Sequence, residues 1–555
     1  MHAESWWCPP GRWWPWISLL LLGLATLLPG LATLPIVDRD EPRFAHATVE
    51  MIERGEWVVP YFNDEYRFDK PPLTYWWMRL HYTVLGQHEF GARLHSLLAA
   101  LACAGVLFAW GSRLFDRGVG WWAAAAWLTC LQVLIHGRIA LADMPMVLAV
   151  LVSQWSLWQL LVERSSARRW WWALWLSQAL GFLAKGPIAF FVPLLTWLLF
   201  ALLGRAGHRW AFRWKEWVLG AILCLGLIAA WGLPALWATE GLFWNQGMER
   251  HVVERGFESF HGRTWNPFFY LVIFLFLFPW AGWLPRALAR GWRDPRRGRF
   301  LLLWLLAPVI LFTFYQTQLP HYILPGYGGA LLLIFAYLRP DELARGWFWK
   351  ALGGVFGVLA VACMVLAVGG NPPAAAAPLR FVFASAALIL AALVILQWGL
   401  ARQKWALLGT GVALLAVGFG GLGRSLREAA ASVELGEIVT HERLGEAWGI
   451  GYREPSLVFY TGRFWSFPEE ADWPALARDL PASGAQVIVV QRREWRDGDL
   501  LAFVWKGDES AVQPAAWVEA LPAMPPPGWD VQVVRGLNLA RFSWVELEVW
   551  QRAAR

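Results

Sequence analysis

The residues in this chain best suited to chemistry sit in short polar breaks between long apolar runs. The first break holds Asp38-Arg39-Asp40-Glu41-Pro42-Arg43, and later Arg67-Phe68-Asp69-Lys70-Pro71-Pro72 ahead of Tyr75-Trp76-Trp77. Further breaks hold Arg138 and Asp143; Lys185-Gly186-Pro187; Glu249-Arg250-His251 with Arg255; and Gln318-Leu319-Pro320-His321-Tyr322. Carboxylates in such places act as a general base on a hydroxyl or hold a divalent cation. Lysine and arginine recognise phosphate, one as a point charge and the other as a fork. The aromatic residues beside them suit a headgroup region. The implied substrate is a phosphorylated lipid handled at a membrane surface. No Walker loop and no GxGxxG in strand–helix context occurs, so neither a nucleotide donor nor a nucleotide cofactor is expected.

The elements that must position these residues are membrane helices. Of 555 residues, 57% are hydrophobic and only 16% charged, with 43 tryptophans. Mean hydropathy is +0.40. Disorder, collagen-like repeats and disulfide scaffolds are excluded. The five cysteines form no CxxC pair and read as small hydrophobes. A net charge of +7 would suggest nucleic acid if clustered on a soluble face. Here the arginines separate apolar runs, so no nucleic-acid partner is expected. A bilayer core needs about 20 apolar residues per helix, and about 13 segments qualify. They start with roughly 15–35, 93–112, 119–136 and 144–162, and end with 379–400 and 404–422.

Arginine and lysine in alternate short loops (113–117, 164–169, 205–215, 286–299, 339–350, 402–404) mark one side as cytoplasmic. The N-terminus then lies inside. The long loop 36–92, every polar break above and the C-terminal tail lie outside. After about residue 423 charges return, and strand-like runs appear at Ser456–Tyr460, Gln486–Val490 and Phe542–Trp550. The expected architecture is mainly α-helical and polytopic: a transmembrane domain over 1–423 and a small periplasmic α/β domain over 424–555.

Five motifs in order resemble the family 39 membrane glycosyltransferases of the GT-C fold, which include bacterial aminoarabinose transferases and protein O-mannosyltransferases. The motifs are Asp40-Glu41-Pro42-Arg43, Phe68-Asp69-Lys70-Pro71-Pro72, Asp143-Met144-Pro145, Lys185-Gly186-Pro187 and the stretch from Leu319 to Pro325. The likeness covers about 30–340, and its motifs fall on the membrane side derived above. It implies an inverting transferase using a polyprenyl phosphate sugar as donor, in the inner membrane among membrane lipids. The implied sugar is 4-amino-4-deoxy-L-arabinose, carried on undecaprenyl phosphate. The implied acceptor is lipid A or another periplasmic molecule.

By the same resemblance, Asp40 is the base or positioning carboxylate and Asp143 a second catalytic carboxylate. Arg43, Lys70, Lys185, Arg255 and Tyr322 would serve the donor phosphate. Some relatives bind one divalent metal, which would fall between Asp69 and His251. Asp69 is one methylene shorter than the family's usual glutamate, and Gln318 stands where the family often has lysine. Alternatives are a different lipid-linked sugar with a protein or glycan acceptor, and a transporter of lipid-linked sugars.

Each residue also has a plainer reading. Asp40 and Arg43, about one helical turn apart, suit an interfacial ion pair. Asp143 ahead of Pro145 suits an N-cap. Lys185 suits a snorkelling lysine and Lys70 a solvated turn. His251 suits a surface position, Arg138 and Arg255 positive anchors, and Tyr322 an interfacial aromatic.

Overall fold

A computed structural model describes residues 6–37, 39–204, 214–247, 268–315, 318–439, 445–469, 485–507 and 527–552. Among them, six helices are long and apolar enough to cross a bilayer: Glu89–Leu114, Asp143–Val162, Trp214–Ala238, Phe348–Gly369, Ala374–Ala401 and Trp405–Ala429. One further apolar pair is sharply bent. Phe268–Phe276 and Ala281–Gly291 pass together but bend by 118°, and Pro279, without an N–H, sits in the break. Trp14–Leu27 and Ile188–Leu203 are shorter apolar helices.

The thirteen or so apolar segments read from composition therefore differ in kind. The segment 119–136 is split into helices Arg117–Trp127 and Leu131–His136, with Cys130 extended between them. The segment 322–338 opens as a 3-10 turn, Pro320–Gly326, and becomes an α-helix only at Tyr327–Tyr337. Leu219, Ile222, Leu225 and Leu233 stand exposed along one long helix. Apolar surface of that extent is paired with lipid rather than water. The chain is a multi-pass membrane protein.

Polar contacts inside the helical layer hold the helices that carry the outer polar residues. Ser153 and Ser177 share a hydrogen bond of 2.7 Å, Gln178 Nε2 donates to Ser153 Oγ at 2.9 Å, and Gln154 Nε2 donates to Thr196 Oγ1 at 2.8 Å. These bonds tie Asp143–Leu157 to Arg168–Lys185 and Ile188–Leu203. Buried hydrogen bonds between apolar helices are the usual fastening where hydrophobic sorting has little purchase.

Outside the helices, β1 (Tyr61–Phe62) and β2 (Glu65–Tyr66) form a hairpin. Its turn residues Asn63 and Asp64 have φ of 58° and 67°, the left-handed pair that matches strand twist in two-residue hairpins. The last long helix runs on to Ala429, past the expected boundary near 423, and Ala431–Ile438 follows. The tail then builds a four-stranded sheet from β3 (Glu446–Ile450), β4 (Ala485–Trp495), β5 (Trp529–Asn538) and β6 (Ser543–Arg552), in the order β3-β4-β6-β5. β3 and β4 are parallel; the other pairs are antiparallel. The runs near 486–490 and 542–550 are strands as expected. Ser456–Tyr460 is not: it lies in a helix, Pro455–Thr461, opened by Pro455 and closed by Gly462 in the left-handed region.

Candidate active site

The site is built on a buried ion pair. Arg93 has no exposed side-chain surface and donates to Glu41 at 2.7 and 2.9 Å. It also donates to the carbonyls of Leu31, Leu34 and Pro35 at 3.1, 2.6 and 2.7 Å. Glu41 in turn accepts the N–H groups of Val37 at 2.6 Å and Ala140 at 2.8 Å. One carboxylate thus fixes the exit of the first helix, the start of helix Glu41–Glu53 and the loop before Asp143. Asp40, its neighbour, faces outward with its side chain 56% exposed and Arg43 at 3.6 Å. The ion pair that their spacing suits is present.

The hairpin delivers the second group. The Arg67 N–H donates to the Pro60 carbonyl at 2.8 Å, directly after β2. Its buried guanidinium donates to the Tyr75 hydroxyl at 2.9 Å and lies 3.1 Å from Asp69. Burial, partly offset by Arg67, pushes the Tyr75 phenol up to about 12, so it stays neutral. Lys70 Nζ donates to the Asp69 carbonyl at 3.0 Å. Burial pushes the Lys70 ammonium down to about 8, with Asp69 and Asp40 opposing and Lys185 and Arg67 assisting.

The third group comes from three helical elements. Lys185 Nζ sits 2.5 Å from Asp143 Oδ1 and 5.9 Å from the Tyr322 ring centre. His321 Nε2 lies 3.8 Å from the same oxygen of Asp143. Burial drives the His321 imidazole down to about 3, so it is neutral near pH 7. Its ring stands 5.2 Å from His136, whose Nδ1 meets Gln132 Nε2 at 2.8 Å. Asp143 is therefore not an N-cap. It makes no capping bond and occupies the first helical turn, where Lys185 claims it. Lys185 equally is not a lone snorkelling lysine.

Electrostatically the groups are one cluster, since Lys70 has Lys185 and Asp40 as neighbours and His321 has Lys70 and Lys185. Arg43, Arg67, Lys70 and Lys185 are gathered with Asp40, Asp69 and Asp143, four cations to three carboxylates.

Asp40, Arg43, Asp69, Lys70, Asp143, Lys185 and Tyr322 are thus brought together. His251 and Arg255 lie outside the described residues. Arg138 anchors structure: it donates to Pro29 O at 3.0 Å and to Thr26 and Leu134 carbonyls, and lies over Phe419. Gln318 turns its amide to the Phe312 carbonyl at 3.2 Å. Sequence reasoning gave Arg67, His136 and His321 no individual role and read Tyr75 only as part of an aromatic belt. Arg67 lay in a polar break and His321 within the Leu319–Pro325 motif. His136 had no signal, being an isolated histidine at the end of an apolar run. Among the described residues, no group of three or more His, Cys, Asp or Glu suits a metal.

Residues 69–233 match the family model described as dolichyl-phosphate-mannose-protein mannosyltransferase. The chain is 33% identical over 325 residues to the undecaprenyl phosphate-alpha-4-amino-4-deoxy-L-arabinose arabinosyl transferase of Pseudomonas aeruginosa strain LESB58, covering 56% of this chain and 57% of that protein. A second such transferase, from Sodalis glossinidius, is 32% identical over 335 residues, covering 58% and 59%. The chain thus spans less than two thirds of the length of the curated relatives it matches. Its fold is that of ArnT from Cupriavidus metallidurans, solved with undecaprenyl phosphate bound: TM-score 0.72 at 18% identity, over 97% of this chain and 98% of that one. The resemblance to GT-C membrane glycosyltransferases drawn from the motifs is borne out.

Proposed function

We propose that this relative of the GT-C glycosyltransferases is an inner-membrane enzyme moving 4-amino-4-deoxy-L-arabinose from undecaprenyl phosphate to lipid A at the periplasmic face. The observation that carries the reading is the cluster of Arg67, Lys70 and Lys185 with Asp69 and Asp143. Arg67 lies 3.1 Å from Asp69, whose carbonyl takes the Lys70 ammonium at 3.0 Å, and Lys185 lies 2.5 Å from Asp143, with Lys70 and Lys185 close enough to oppose each other's charge. Asp143 pairs with Lys185 and Asp69 with Arg67, so the four cations, counted with Arg43, outnumber the three carboxylates by one, and a donor phosphate supplies the further anion. In the reaction the bond between the anomeric carbon and the donor phosphate oxygen breaks. The electron pair stays on the polyprenyl phosphate, where Lys70, Lys185 and Arg43 stabilise it, with Tyr322 beside them and Arg255 as a further candidate. An acceptor oxygen attacks the opposite face and the configuration inverts. Asp40 orients that acceptor, and for a hydroxyl acceptor takes its proton. Asp143 holds Lys185 in place.

The divalent metal implied by the resemblance would need Asp69. That carboxylate already lies against Arg67 at 3.1 Å and adjoins Lys70. A cation among these positive groups fits the donor set poorly, so no step is routed through a metal here. For topology we assign the shorter and broken apolar helices to the bilayer as well, giving about 13 crossings. The N-terminus is then cytoplasmic and residues 424–555 form a periplasmic α/β domain. Cysteines placed at Asp64 and Arg296, whose native side chains are 64% and 48% exposed, should label from outside and inside respectively.

Mass spectrometry of lipid A tests the whole. The host makes the lipid-linked donor but lacks its own transferase. An aminoarabinose increment with the wild-type chain, and none with Asp40→Asn, is the expected result. No increment from a well-expressed wild type refutes this donor–acceptor pair. It would favour the second reading, a protein or glycan acceptor, which the mannosyltransferase match supports.

A further inference from the structure

The loop 36–92 carries Asp40 near its start and Lys70 in its middle, and its neck and tip are both tied to the tail. We propose that the tail segment 455–465 is a strut that fixes this loop at its neck and at its tip, with Tyr460 and Asn63 as positioning residues.

At the neck, a single hydroxyl closes the loop. Tyr460 Oη accepts the Ile36 N–H at 2.8 Å and donates to Glu89 Oε1 at 3.1 Å. Ile36 lies four residues before Asp40, and Glu89 opens the helix that ends the loop. Arg427, on the last long helix, holds the same Glu89 oxygen at 2.7 Å. Phe459 and Tyr460 also pack against the buried cluster that contains Phe44, Ala47 and Tyr75.

At the tip, the contact is reciprocal. Asn63 Nδ2 donates to the Trp465 carbonyl at 2.8 Å, and the Trp465 N–H donates to Asn63 Oδ1 at 2.7 Å. Trp465 is itself buried, with its indole N–H on Thr461 Oγ1 at 2.8 Å. From the other side, Glu50 accepts the Asn63 N–H at 2.6 Å and the Asp64 N–H at 3.3 Å. The turn is therefore gripped between helix Glu41–Glu53 and the tail. Four residues on, the same hairpin becomes Arg67, then Asp69 and Lys70. A turn released from Trp465 lets the Arg67–Asp69–Lys70 run shift relative to Lys185. A shift of an ångström in a charge-recognition site is enough to lower function by orders of magnitude. The tail is thus part of the machinery that aligns the two cations.

The inference rests on the phosphate-binding reading above, so its test separates the two. Asn63→Gly keeps the left-handed turn without strain and removes both bonds to Trp465. It is measured on the full-length protein in lipid nanodiscs, beside Tyr460→Phe and Lys70→Ala. The readouts are hydrogen exchange over 61–70, equilibrium binding of undecaprenyl phosphate, and transfer kinetics. Expected for Asn63→Gly are faster exchange at 61–70 and about tenfold weaker binding, with the unfolding midpoint little changed. Asn63→Asp, which keeps the acceptor for Trp465, should fall between. Tyr460→Phe should lower kcat with little change in donor KM, because it loosens the Asp40 side. Unchanged exchange in Asn63→Gly overturns the strut, whatever the ligand does. Faster exchange with unaltered binding overturns the positioning role, provided Lys70→Ala weakens binding. If Lys70→Ala binds normally, the phosphate reading fails, and with it the positioning role.

Discussion

Glu41 and Asp40 are adjacent carboxylates with opposite duties, and the buried one makes the sharper quantitative prediction. Glu41→Gln preserves shape and one carbonyl acceptor but strands the Arg93 guanidinium, which has no exposed side-chain surface. Removing one member of a buried pair costs about 3–5 kcal/mol. The three carbonyls that Arg93 still meets hold it in place but do not neutralise it. Glu41→Ala is worse, because the N–H groups of Val37 and Ala140 lose their acceptor, at about 1–3 kcal/mol each. That total rivals the whole stability of an ordinary domain, so this variant should not accumulate. The discriminating measurement is a double-mutant cycle with Arg93→Met, read as unfolding free energy in mixed micelles of rising SDS fraction. Each single variant should lose about 3–5 kcal/mol. The double should lose at least about 2 kcal/mol less than their sum, since no charge is left stranded. It should still fall short of wild type, because the carbonyls of Leu31, Leu34 and Pro35 have lost their donor. A Glu41→Gln protein within about 1 kcal/mol of wild type, or strictly additive losses, would refute the claim that this pair is the foundation of the site.

Three further outcomes are expected. Asp40→Asn should leave stability within about 0.5 kcal/mol, since its side chain is half exposed and its ion pair loose, while transfer falls at least about a hundredfold; normal transfer by the folded variant would remove Asp40 from the mechanism. Lys70, with an ammonium that titrates near 8, is charged below that pH and neutral above it, so donor KM should rise between pH 8 and 9 and the rise should vanish in Lys70→Arg, whose charge persists; a flat profile in the wild type excludes Lys70 as a phosphate contact. Treatment with EDTA should leave transfer intact, because Asp69 is committed to Arg67; a loss restored by one divalent cation would reinstate the metal.

Much of the site was legible because membrane chemistry is sparing with charge. A lysine or aspartate between apolar runs is conspicuous, and the basic residues of alternate loops assigned the five motifs to one side. What was not legible depends on partners far along the chain. Ser456–Tyr460 reads as a strand because its residues are apolar and aromatic, and a short run of that kind is ambiguous by periodicity. Pro455 and Gly462, which bracket it as a helix, carried the better signal. The segment 119–136 reads as one span because composition is continuous across a break that only the backbone at Cys130 reveals.

The deepest gap concerns role rather than location. Nothing local distinguishes Asp40 from Glu41, yet one faces the outer surface and the other is sealed. The difference is made by Arg93, which lies 52 residues away and pairs with Glu41 rather than Asp40. Asp143 is likewise read locally as a helix start, and becomes a clamp on Lys185 only when residue 185 is folded beside it. A motif therefore names the residues a site uses, while the long-range pairs decide which of them is free to act. Glu41 and Asp143 are consumed in holding Arg93 and Lys185. Among the described carboxylates of the cluster Asp40 is the exposed one, 3.6 Å from Arg43, and the proposal therefore gives it the acceptor.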